Sequence, residues 1–227
     1  MSDFFYKIVR FFGTPIFWWS STPIVLHVDR TARPGAFILA VNHTSTYDVP
    51  LLVRHCVRNL DFVSITEAFQ FRFVHWFYGS MNAFPVDRSK PDSRGVRTIL
   101  QRLKRSRAIA IFPEGHIRAH DNAITHGGKV RPGTGRLAVM SDAPVVPCVI
   151  INSAAYLKPL AWLPHKRVRY GMIFGRDISG SKSLDKSEAA KKVEADLEQA
   201  MVRLYRELSL CMQNAMKHRE TKHRETA

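Results

Sequence analysis

Two short segments place side chains suited to proton transfer and charge stabilisation directly after apolar runs. Asn42-His43-Thr44-Ser45-Thr46-Tyr47-Asp48 follows the run AFILAV at 36–41. A histidine leaving a buried strand stands where α/β folds bind ligands. On a helix, residues 43 and 48 would lie about 140° apart and share no face. They meet only if His43 is in the turn and Asp48 opens the next helix, and Pro50 suits a helix's first turn. Asp48 then holds one imidazole nitrogen and fixes the tautomer, leaving the other to accept a hydroxyl proton. A plainer description, with Asp48 as an N-cap and His43 as a turn residue, fits the segment equally well.

The second segment, Phe112-Pro113-Glu114-Gly115-His116-Ile117-Arg118, follows the run RAIAIF at 107–112. It puts a carboxylate at another strand end, although an ordinary βα turn has the same composition. Between the two, Phe84-Pro85-Val86-Asp87-Arg88 ends on an arginine able to grip a phosphate through two N–H groups. Alone, it is one arginine among many. Val145-Val146-Pro147-Cys148-Val149-Ile150 reads as a buried strand with a proline in it. His116 and His120 stand four apart with His126 beyond, but two histidines without a clear third ligand are weak grounds for a metal. Residues 129–136 (KVRPGTGR) lack the spacing of a nucleotide-binding phosphate loop. They fit a phosphorylated substrate near a cleft or a solvated loop.

The elements that would position these groups alternate between β and α. Strands are expected at 36–41, 61–66, 83–86, 107–112, 144–151 and 168–174. Helices are expected at 48–56, 67–78, 91–105 and 184–212. The pattern predicts a single α/β domain with a mostly parallel or mixed central sheet flanked by helices. We divide the chain into an amino-terminal aromatic helical segment (1–30), the α/β domain (31–212) and a charged, frayed tail (213–227) in which KHRET occurs twice.

Lys and Arg outnumber Asp and Glu by 34 to 19, a formal charge of +15 over 227 residues, which points to anionic partners. No helix-turn-helix, zinc finger or RNP-type segment supports nucleic acid as that partner. Cys56, Cys148 and Cys211 are widely spaced, odd in number and form no CxxC, so a reducing compartment is the default. Phe4, Phe5, Tyr6, Phe11, Phe12, Phe17, Trp18 and Trp19 crowd the first nineteen positions, with Lys7 and Arg10 among them. Rings beside cations suit an in-plane segment at an anionic membrane surface; packing on the core is the plainer alternative. No stretch reads as a spanning helix.

In chain order, NHTSTYD, FPVDR, FPEG and VVPCVI resemble the four motifs of the glycerolipid acyltransferase family, which contains the lysophosphatidate (1-acyl-glycerol-3-phosphate) acyltransferases. The resemblance covers residues 36–152, and its first and third motifs are the specific ones. It implies that His43 is the general base, oriented by Asp48, and that the acceptor hydroxyl attacks an acyl-CoA or acyl-carrier-protein thioester with no acyl-enzyme. Arg88 would bind the acceptor phosphate, with Arg118 able to reach it. Glu114 and Gly115 would shape the acceptor pocket, and Pro147 the acyl side of the cleft. The implied partners are a lysophospholipid acceptor, an acyl thioester donor and an anionic membrane surface. No metal, bound cofactor, nucleic acid or particular oligomeric state is implied. The implied location is peripheral, on the cytoplasmic face of a membrane. One departure stands out: the family's usual EGTRS is Glu114-Gly115-His116-Ile117-Arg118 here. The arginine falls one place later, which changes where a guanidinium on a turn points. That leaves room for a different lysolipid acceptor; a non-catalytic lipid- or nucleic-acid-binding protein is the separate alternative.

Overall fold

The computed structural model describes residues 3–65, 76, 79–86, 92–118, 122–163, 167–181 and 183–225. Its strands are β1 (Ile24–Leu26), β2 (Phe37–Val41), β3 (Leu60–Ile65), β4 (Phe84–Val86), β5 (Ala108–Ile111), β6 (Val145–Ile151) and β7 (Gly171–Phe174). They form one sheet in the order β1-β7-β6-β2-β5-β3-β4. Every pairing is parallel except that of β6 with β7. The α-helices are α1 (Asp3–Ser20), α2 (Asp48–His55), α3 (Ser93–Lys104), α4 (Thr134–Ser141) and α5 (Lys186–Glu225). The expected mixed α/β sheet is therefore present.

The central strands are apolar throughout because both of their faces are covered. Every residue of β2 and β5 is buried. Successive side chains point to opposite faces. Phe37, Leu39 and Val41 pack with Tyr6, Phe17, Leu51 and Leu52 beneath α1 and α2. Ile38 and Ala40 pack with Ile99, Ala138, Val193 and Leu197 beneath α3, α4 and α5. Parallel β6, β2 and β5 lie side by side, so three adjacent strand ends open on one edge of the sheet.

Helix α1 is fastened at both ends. Asp3 and Arg107 form a bidentate pair at 2.8 and 2.9 Å, which holds the Asp3 carboxyl far below the usual range. Arg107 also reaches the fully buried Asp61. At the other end, Ser21 pairs with Val168 beside the sheet. Between these points Tyr6 and Phe17 are buried, while Phe11 and Trp18 remain 73% and 64% exposed. No helix among the described residues is long and apolar enough to cross a membrane.

Three elements differ from expectation. Strand β1 lies within the segment read as helical, since three residues give no periodicity to read. Helix α4 replaces an expected loop: Gly135 in its first turn and Gly133 just before it lower helix propensity, but Gly135 is required by packing. A Cβ there would lie 2.1 Å from the Ala190 carbonyl of α5. Helix α5 continues to Glu225 instead of fraying at 213, because Lys, Arg, Glu, Gln and Met favour helix and neither Gly nor Pro interrupts them. The helix expected over 67–78 lies outside the described residues apart from Trp76, which is helical.

Candidate active site

The ends of β2, β5 and β6 supply one connected hydrogen-bonded group. His43 lies two residues past β2, and Asp48 is the first residue of α2. Their side chains meet with Nδ1 of His43 2.9 Å from Oδ2 of Asp48. Asp48 is fully buried, and Oδ2 also accepts the backbone N–H groups of Thr44 and Ser45 at 2.8 and 3.0 Å. Its other oxygen, Oδ1, accepts the Ser153 hydroxyl at 2.5 Å and that of Thr44 at 3.3 Å. Several donors converging on a carboxylate fix its orientation. The His43 ring stacks on Phe112, with centroids 4.1 Å apart. Among the described residues Nε2 of His43 has no hydrogen-bond partner.

The loop carrying His43 is held from two sides. Asn42 exchanges hydrogen bonds with Ile150 of β6, at 2.9 Å to its carbonyl and 2.7 Å from its N–H. Glu114, past the end of β5, is fully buried. Its carboxylate accepts the N–H of His43 at 2.6 Å and that of Ile124 at 2.8 Å. Burial pushes the Glu114 carboxyl up, against the pull of these two N–H groups.

His43 also lines a cavity of about 620 Å³ that runs beneath α1. Its walls are Val9, Gly13 and Phe17 of α1, Val49 and Val53 of α2, Phe62 of β3, and Met81 and Ala83. Phe112, Gly115, His116 and Ile117 line it beside His43. It is a mostly apolar space with polar groups gathered beside the imidazole, which is the form of a ligand site.

The structure joins some of the expected residues and separates others. His43 and Asp48 meet, with His43 in the turn and Asp48 opening the helix, as their spacing requires. Gly115 is on the cavity wall. Glu114 is not: both of its oxygens face backbone N–H groups, so it braces the His43 loop. Pro147 is a second correction. On β6, Val146, Cys148 and Ile150 face the cavity side, so the two-residue alternation sends Pro147 to the other face. There it packs near Gly175 and Leu204. Arg118 donates its backbone N–H to the His43 carbonyl at 3.0 Å, but its guanidinium turns to the carbonyls of Asn122 and Lys129. Arg88 lies outside the described residues, as does His120. His126 packs on Tyr205. Ser153 was missed, although a hydroxyl just beyond an expected parallel strand is the same signal that singled out His43.

Fold and site together define a doubly covered α/β protein with a histidine–aspartate pair at the carboxyl ends of its strands, beside an apolar cavity. A family model described as Acyltransferase matches residues 24–151, more than half of the chain, and the chain belongs to that family. It is 30% identical over 136 residues to a 1-acyl-sn-glycerol-3-phosphate acyltransferase of Bacillus subtilis, over 60% of this chain and 62% of that one. It is 28% identical over 126 residues to a lyso-ornithine lipid O-acyltransferase of Pseudomonas aeruginosa, over 53% of this chain and 45% of that one. The chain thus spans less than two thirds of the length of these relatives. The crystal structure of the 1-acyl-sn-glycerophosphate (LPA) acyltransferase, PlsC, from Thermotoga maritima shares the fold. Its TM-score is 0.64 at 19% identity, over 88% of this chain and 79% of that chain.

Proposed function

We propose that this protein transfers an acyl group from a thioester, acyl-CoA or acyl-carrier protein, to the hydroxyl of a lysophospholipid, with 1-acyl-glycerol 3-phosphate as the leading acceptor. The observation that carries the reading is the His43–Asp48 contact of 2.9 Å at the wall of the apolar cavity. Asp48 accepts from Nδ1–H, so Nε2 carries the lone pair that takes the acceptor's hydroxyl proton. The hydroxyl oxygen attacks the thioester carbonyl and forms a tetrahedral intermediate. Its collapse forms the ester and breaks the C–S bond, and the departing thiolate takes the proton back from the imidazolium. Asp48 stabilises the cation between these steps. Acyl transfer as the reaction class agrees with the family and with the relatives' names. No metal or bound organic cofactor enters the scheme.

We place the reaction at the cytoplasmic surface of a membrane, with the outward rings of α1 at headgroup level and the +15 charge drawing the protein to anionic lipid. One observation favours a second acceptor class. The Arg118 guanidinium is turned to loop carbonyls, and one relative is named for a lyso-ornithine lipid.

The test is thiol release from a long-chain acyl-CoA in detergent micelles, with and without lysophosphatidate, in wild type and His43→Ala. Release requiring both lysophosphatidate and His43 is expected. Failure of the wild type with acyl-CoA and acyl-carrier protein, across lysophosphatidate and lyso-ornithine lipid, would remove the reading.

A further inference from the structure

With the Arg118 guanidinium directed at loop carbonyls, the described part of the site needs another cation if its acceptor bears a phosphate. Arg131 occupies a position suited to that task. Its side chain lies directly across Gly115: a Cβ on Gly115 would stand 2.4 Å from Cδ and 2.6 Å from Nη1 of Arg131. Gly115 is itself on the cavity wall beside His43. The absent side chain at 115 is what lets the arginine approach, and φ of +80° there suits glycine.

The backbone around Arg131 is fixed from three directions. Its own N–H donates to the Pro113 carbonyl at 2.9 Å. The preceding N–H, of Val130, donates to Glu198 of α5 at 3.0 Å. Those of Gly133 and Gly135 both donate to Glu194 of α5, at 2.9 and 3.1 Å. The side chain is exposed, and among the described residues its guanidinium has no hydrogen-bond or ion-pair partner. A fixed backbone carrying a guanidinium that is unpaired among the described residues, against a glycine of the cavity wall, is preorganised for an anion.

Resting on the acyl-transfer reading, we infer that Arg131 is a specificity-determining residue that selects the acceptor by binding its phosphate monoester at the mouth of the cavity, in the place the displaced Arg118 leaves open. The shared chemistry is a phosphate, which a CoA donor also carries, and the assignment here is to the acceptor.

The test compares wild type, Arg131→Ala and Arg131→Lys with two acceptors of one acyl chain, lysophosphatidate and uncharged monoacylglycerol. It also compares two donors, acyl-CoA and an acyl-pantetheine that lacks the nucleotide phosphates. For Arg131→Ala the lysophosphatidate-to-monoacylglycerol ratio of kcat/KM is expected to fall about tenfold or more, mainly through the lysophosphatidate KM, with partial recovery in Arg131→Lys. An equal loss with both acceptors, no loss, or a loss that appears with acyl-CoA but not with acyl-pantetheine overturns the assignment. Calorimetric titration with glycerol 3-phosphate separates this outcome from failure of the enzyme reading. If the wild type turns over nothing yet binds glycerol 3-phosphate through Arg131, the site stands and the reaction falls. If wild type and Arg131→Ala bind it equally, or neither binds it, the site falls.

Discussion

The Ser153 hydroxyl lies 2.5 Å from Oδ1 of Asp48, the oxygen that does not touch His43. Ser153 also contacts the hydroxyls of Thr44 and Ser45, at 2.8 and 3.1 Å, so it links the end of β6 to the turn that carries the histidine. Asp48 thus faces His43 with one oxygen while the other is held by a different strand end. Ser153→Ala removes that hold and leaves the charge. We expect kcat to fall about tenfold with little change in acceptor KM, and Ser153→Thr to recover part of the loss. A rise in KM at constant kcat would mean that Ser153 meets substrate rather than Asp48.

Glu114 bridges two backbone N–H groups with its two carboxylate oxygens. Glutamine keeps the shape but only one acceptor, so its NH₂ must face the N–H of His43 or of Ile124. Glu114→Gln is expected to lower stability by about 1–3 kcal/mol and kcat by about tenfold, through displacement of the His43 backbone. Calorimetric unfolding alongside steady-state rates checks this. A higher acceptor KM at unchanged Tm would instead mean that Glu114 contacts the acceptor.

Much of this arrangement was legible in the sequence. Strand β2 is readable because FILAV is apolar on both faces, and the geometry of His43 and Asp48 follows from the impossibility of their sharing a helix face. What was not legible depends on contacts remote in sequence. Helix α4 rests on Gly135 fitting against Ala190, which no local pattern reveals. The placement of Pro147 on the face of the sheet away from the cavity depends on the register of β6. The Arg131–Gly115 contact joins two loops sixteen residues apart, and only the folded chain brings them together. Arg118 sits inside a recognisable segment, yet the folded loop supplies its guanidinium with carbonyls instead.

His55, on α2, is partly buried with Nε2 2.7 Å from the Tyr170 hydroxyl. Burial, with help from Arg54 and Arg10, pushes its pKa down from 6.5 to about 4. Between those two values the unfolded chain binds more protons than the folded one, so stability rises with pH through the window and is lost as pH falls from 6.5 towards 4. The size of this contribution is roughly 3 kcal/mol. His55→Gln, which removes the titrating ring, is expected to narrow the gap between urea midpoints measured at pH 7.5 and pH 4.5. An unchanged gap would assign the acid sensitivity to groups other than His55.

Helix α1 carries large rings on both faces: its buried face carries Tyr6 and Phe17, and its solvent face carries Phe4, Phe11, Phe12, Trp18 and Trp19. Fastened at both ends to the sheet, the helix presents these rings as a fixed row beside the roof of the cavity. Because they are exposed, replacing Phe11 and Trp18 with serine is expected to change folding stability by no more than about 0.5 kcal/mol. Each ring that enters a headgroup layer contributes on the order of 1–2 kcal/mol. The double variant should therefore partition at least tenfold less onto vesicles containing anionic phospholipid. The remaining binding should weaken further with salt, since Lys7 and the overall +15 charge act through screened electrostatics. Co-sedimentation across a salt series measures both effects. Equal partitioning of variant and wild type would assign the exposed row to a protein partner or a second copy of the chain, and acyl transfer at the membrane would then need another docking surface.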